Sequence, residues 1–147
     1  MKIKQSNSYA MHALMYMVRH ATQLPVTVYA ISKAEGIPYR QLVNLFQLLA
    51  AAGIVKTMDN GQPGYTFKRS PTEVTLLELF ELIEGGSIFH ECFMNHCDCK
   101  ATPDKCKIYS SWRQATASVE KKLSEITLEN AAWGHPEHYF QIPGILE

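Results

Sequence analysis

The stretch "TVYAISKAEGIPYRQLVNLFQLLAAAGIVKTMDNGQPGYTFKRS", residues 27–70, decides the fold. Thr27 is placed to cap a short helix carrying Val28, Ile31 and Ala34, with Gly36 at its far end. Pro38 suits the first turn of a second helix, where its missing N–H costs nothing. That helix runs from Tyr39 to Ala52 with Leu42, Leu45, Phe46 and Leu49 facing inward, and Gly53 closes it. Two helices across a short Gly-containing turn make a helix-turn-helix. "GIVKTMD", the turn-rich "NGQPG" and "YTFKRS" then read as a β-hairpin.

The flanks extend this reading. Residues 8–21 predict a helix with Ala10, Ala13, Leu14, Met17, Val18 and Ala21 along one stripe, broken by Leu24-Pro25. Thr75-Leu76-Leu77-Glu78 is a capping box opening a helix with Leu76, Leu79, Phe80 and Ile83 on one face, up to Gly85-Gly86. Further on, Ile108, Trp112, Ala115, Val119, Leu123 and Ile126 recur at steps of four and three. A long helix with so narrow a seam packs on another helix, here its copy in a second subunit. The expected fold is mainly α: a winged helix-turn-helix with a small β-hairpin wing and a long C-terminal dimerisation helix. Its parts are a DNA-binding domain at 1–84, a cysteine-rich loop at 85–107, the dimerisation helix at 108–130 and an aperiodic tail at 131–147.

Composition narrows the function. About half of the 147 residues are apolar, enough for a single folded domain and too many for a disordered chain. Fourteen Lys and Arg balance fourteen Asp and Glu, so contact with nucleic acid has to rest on a local basic patch. No apolar run is long enough to span a membrane, and "MKIKQSNSYAMHALMYMVRHA" carries no signal-peptide pattern. The expectation is a cytoplasmic protein, whose thiols stay reduced. No nucleophile–base pair, P-loop or dinucleotide motif points to an enzyme.

The second helix of a helix-turn-helix reads the major groove with its N-terminal residues. Here those are Tyr39, Arg40, Gln41 and Asn44. Arginine pairs bidentately with guanine, and Gln or Asn with adenine. Lys56, Lys68 and Arg69 flank the wing as phosphate contacts, with Lys2, Lys4 and Thr27 on the other side.

All four cysteines lie in "HECFMNHCDCKATPDKC", residues 90–106, at the spacing C-x4-C-x-C-x6-C. Clustered thiolates are the ligands of iron–sulfur clusters and of zinc. The spacing is neither a zinc ribbon nor a ferredoxin run, and His90, His96 and Asp98 are further donors. A metal-free thiol–disulfide switch is the other reading of the same residues.

Together these features resemble the family of winged-helix bacterial regulators that includes the iron–sulfur regulator IscR and the nitric-oxide-sensitive repressor NsrR. The likeness spans about residues 1–130. It rests on "KIKQSNSYAMHALMYM", "ISKAEGIPYRQLVNLFQLLAAAGIV", the wing ending in Gly64-Tyr65, "EVTLLELFELIEGG", the cysteine loop and Trp112. The resemblance implies a homodimer on a palindromic operator in double-stranded DNA. It also implies a 2Fe–2S or 4Fe–4S cluster held by Cys92, Cys99 and Cys106 in each loop, with Cys97 as the alternative to Cys99. Relatives take a fourth ligand three residues past the last cysteine, where this chain has Tyr109, or from the partner's first helix. On that helix the corresponding positions are Ser8 and His12, and His12 is the candidate. Relatives also carry an arginine at the wing tip, whereas Asp59 stands near it here. The expected function is a repressor whose operator affinity follows its cluster; a cluster-free thiol or zinc regulator and a small iron–sulfur carrier are the alternatives.

Overall fold

The computed structural model describes residues 3–87, 89, 92, 94, 100 and 102–134. Helix α1 spans Gln5–Arg19, α2 Val28–Glu35 and α3 Tyr39–Ala51. Strands β1 (Val55–Thr57) and β2 (Tyr65–Phe67) pair antiparallel, Lys56 opposite Thr66. Helices α4 (Leu76–Glu84), α5 (Lys107–Glu125) and α6 (Leu128–Gly134) follow. This is the mainly helical winged fold expected from the sequence.

The helix-turn-helix forms for the reasons its residues suggest. Thr27 Oγ1 accepts the Ala30 N–H at 3.1 Å, and Gly36 closes α2 in the left-handed region at φ 66°. Leu42, Phe46 and Leu49 are fully buried with Ile31 and, from α1, with Leu14 and Met17. Two inward assignments differ: Ala34 and Ala21 are exposed, each falling at the end of its apolar stripe.

The wing is fastened to the body. Val26 and Tyr65 exchange backbone hydrogen bonds of 3.0 and 2.8 Å, so the segment before α2 makes an isolated bridge with β2. Gly64 permits this contact. At its φ of 106°, a Cβ would lie 2.5 Å from the Val26 carbonyl carbon and oxygen. The Tyr65 ring also packs on Phe46, with centroids 5.0 Å apart.

Two boundaries and one cap differ from the sequence expectation. Helix α1 begins at Gln5 and ends at Arg19, ahead of Leu24-Pro25. His20 terminates it: the ring Nδ1–H donates to the Tyr16 carbonyl at 2.8 Å and the ring stacks on Tyr16. The capping box of α4 is half made. Thr75 Oγ1 accepts the Glu78 N–H at 3.2 Å, but the Glu78 carboxylate binds Arg69 instead of reaching back to the cap. Finally, the segment 108–130 is not one helix. It breaks at Ile126-Thr127, where Thr127 and Asn130 cap α6 reciprocally: Asn130 N–H donates to Thr127 Oγ1 at 3.2 Å, and Asn130 Oδ1 accepts from the Thr127 hydroxyl at 2.8 Å. Leu128 and Ala132 are fully buried as α6 packs on α1, and Arg19 Nε donates to the Ala132 carbonyl at 2.8 Å.

Candidate nucleic-acid interface and cysteine loop

One side of the first two turns of α3 stands in solvent. Arg40, Gln41 and Asn44 are all exposed, and Tyr39 is 53% exposed, while Leu42 and Leu45 on the opposite face are buried. The structure therefore brings the four expected base-reading residues onto one outward face. Thr27 lies at the N-terminus of α2 with its hydroxyl oxygen occupied as a cap. Lys56 on β1 and Lys68 just past β2 are exposed along the wing.

Two of the cations expected at DNA are used elsewhere. Arg69 pairs with Glu78, its Nη2 also donating to the Glu73 carbonyl at 3.2 Å. Hydrogen bonding and then charge from Glu78 raise the guanidinium's hold on its proton above the ordinary arginine range. Lys4 Nζ donates to the Ile83 and Glu84 carbonyls at 3.2 Å each, closing the C-terminus of α4. Lys2 lies outside the described residues. The wing tip presents Asp59, Asn60 and Gly61 in solvent, and Asn60 Oδ1 accepts the Gln62 N–H at 3.1 Å in a tight turn.

The exposed surface beside the start of α3 also holds residues that sequence patterning did not select. Tyr29 on α2 is 59% exposed and meets Tyr39 edge to face, with centroids 6.2 Å apart at 70°. Lys33 Nζ sits 5.5 Å from the Tyr29 ring centroid. The signal in the sequence was a Tyr and a Lys four residues apart on a short amphipathic helix.

The cysteine loop is held at both ends. At its start, Phe89 is 6% exposed, stacks on Phe80 of α4 at 5.5 Å, and passes its carbonyl to Arg113 Nη1 of α5 at 2.7 Å. At its end, Cys106 is the N-cap of α5, and its Sγ accepts the Tyr109 N–H at 3.5 Å. Cys92 and Cys106 are free, half-buried thiols. Cys97, Cys99, His90, His96 and Asp98 lie outside the described residues. His12, on α1, faces Glu35 of α2 within the same chain, Nδ1 to Oε2 3.9 Å. Tyr109 is half-buried on the first turn of α5, and Ser8 is exposed on α1. Among the described residues no helix is long and apolar enough to cross a membrane.

Comparison with known proteins places this geometry. Residues 3–132 match the Rrf2 family, described as iron-dependent transcriptional regulator. The chain is 24% identical over 128 residues to the HTH-type transcriptional regulator IscR of Vibrio atlanticus, covering 87% of this chain and 73% of that protein. Among solved structures, IscR of T. potens superposes with a TM-score of 0.71 at 21% identity, over 97% of this chain and 92% of that one. CymR, the global cysteine regulator of B. subtilis, gives 0.73 at 20% identity, over 92% and 99%. These relatives are transcription regulators rather than enzymes, and the fold they share is the winged helix described above. The chain belongs to the Rrf2 family of transcriptional regulators.

Proposed function

We propose that this regulator is a homodimeric repressor whose affinity for a palindromic operator in double-stranded DNA is set by an iron–sulfur cluster in its cysteine loop. The observation that carries the proposal is the connection between two sites. An exposed α3 reading face sits in the same packed body as a thiol loop whose two ends are fastened to α4 and α5.

The described donors fit such a group. Cys92 and Cys106 are unpaired soft ligands, and a backbone N–H already points at the Cys106 sulfur, the kind of contact that tunes a cluster. We assign Cys92, Cys99 and Cys106 as ligands, Cys97 as the alternative to Cys99, and His12 as the fourth ligand to the partner's cluster. A bound cluster, 2Fe–2S or 4Fe–4S, supplies a centre sensitive to redox state, nitric oxide or iron supply.

We take the dimer to form along α5. Ile108 at 46% and Val119 at 43% exposure lie on this helix with exposed Ala115, and apolar side chains left in solvent at this spacing suit a second helix. The two reading heads are then spaced by the crossing of two α5 helices. His12 ligation would tie each α1 to the opposite loop, so its release changes head spacing. Because half-sites are a fixed distance apart, a coupling of about 1–3 kcal/mol makes a useful switch. Tyr39, Arg40, Gln41 and Asn44 read bases, while Thr27, Lys56 and Lys68 meet phosphates.

The test is purification without air, an absorption spectrum with iron and sulfide counts, and titration of promoter duplexes by the loaded and stripped protein. Coloured protein that loses colour and regulation in Cys92→Ala and Cys106→Ala supports the assignment. Colourless protein that still regulates DNA through thiol oxidation or zinc overturns the cluster. Absence of salt-dependent duplex binding leaves a cluster carrier instead.

A further inference from the structure

We infer that the DNA-contact surface extends from α3 onto α2, with Lys33 as a phosphate contact and Tyr29 as a positioning residue for Tyr39. The inference rests on the DNA-reading proposal for α3 and deepens it.

Tyr29 and Tyr39 are large aromatic side chains, side by side and more than half exposed, outside the core that Val28 and Ile31 join. Their arrangement is nevertheless ordered. Tyr39 opens α3, the end that enters a groove, and the ring of Tyr29 braces it edge to face. Lys33, one turn on from Tyr29, lies over that ring, so its ammonium is held beside the tyrosine pair.

Charge selects the occupant. Across α2 and α3 the cations are Lys33 and Arg40, both exposed. The one carboxylate of the two helices, Glu35, is 21% exposed and turned to His12 of α1. Aromatic rings and cations without an outward acid fit a polyanion flanked by flat, stackable or groove-wall surfaces. In a helix-turn-helix docked by its second helix, the first helix crosses the phosphate backbone, which is where α2 carries Lys33.

The probe is the tightest duplex recovered by the wild-type dimer from a randomised pool, with random-sequence duplex as the non-specific reference. Lys33→Gln is expected to weaken both duplexes alike and to reduce the slope of log affinity against log salt by about 0.9, one phosphate contact. Tyr29→Ala is expected to lower the selected-to-random affinity ratio by up to about tenfold, as Tyr39→Ala does, while Tyr29→Phe preserves it. Both sites are exposed, so circular dichroism melts serve as the folding control. An unchanged slope in Lys33→Gln together with an unchanged ratio in Tyr29→Ala, while Arg40→Ala still abolishes selection, overturns the extension and leaves the α3 reading intact. A wild-type dimer that selects no duplex overturns both.

Discussion

Replacing Gly64 by alanine tests how the wing is seated. Two costs apply at this position. A positive φ disfavours any L side chain by about 1–2 kcal/mol, and the φ of 106° lies beyond the ordinary left-handed well. The second cost is contact. The new Cβ would meet the Val26 carbonyl at 2.5 Å and the Thr27 nitrogen at 2.9 Å, all backbone atoms without a rotamer to yield. Relief requires opening the Val26–Tyr65 pair, whose hydrogen bonds of 3.0 and 2.8 Å contribute about 1 kcal/mol each. The total is on the order of 3 kcal/mol, or roughly 10 °C in melting temperature for a chain of this size. Gly36→Ala supplies the control, since its φ is +66° and nothing lies within 4 Å of the added carbon. It carries only the dihedral cost, partly offset by a stiffer unfolded chain, for a net of about 1 kcal/mol. Melts of both variants at one protein concentration, read by circular dichroism, give the difference. Hydrogen exchange at the Tyr65 amide gives its location, with protection lost in Gly64→Ala and kept in Gly36→Ala. If the two variants melt within about 2 °C of one another, the wing is not clamped on Val26 and the reasoning fails.

Cys106→Ser is expected to keep the cap of α5, because serine is a good N-cap, while losing the chromophore; equal melting of the stripped proteins and a colourless serine variant check the two halves. Val119→Lys puts a charge in the exposed stripe of α5 and is expected to halve the mass measured by light scattering, with the helical spectrum unchanged. Phe46→Ala removes a fully buried ring that also supports Tyr65, so a loss of about 3–5 kcal/mol in urea unfolding is expected, together with weaker DNA binding.

Local chemistry in the sequence determined the elements of this protein. Thr27 and Thr75 cap because a hydroxyl one residue before a helix finds orphan N–H groups, whatever surrounds it. Gly36, and the alternation of Leu42, Leu45, Phe46 and Leu49 with exposed polar residues, set the helix-turn-helix without reference to the rest of the chain. That Tyr39, Arg40, Gln41 and Asn44 stand exposed was legible for the same reason, since a face that is not core is surface. Tertiary structure decided which polar groups remained available. Nothing local tells Arg69 to leave the wing for Glu78, or Lys4 to close a helix about eighty residues away; those partners exist only once the chain past β2 folds back on α4 and α4 packs beside α1. The break at Thr127 was written in Thr127 and Asn130, yet α6 matters because Leu128 and Ala132 find a complementary face on α1. Gly64 shows the division most plainly. Its identity marks a turn in the sequence, but the physical demand for glycine comes from a backbone carbonyl some forty residues earlier, brought to within 2.5 Å of where a side chain would begin.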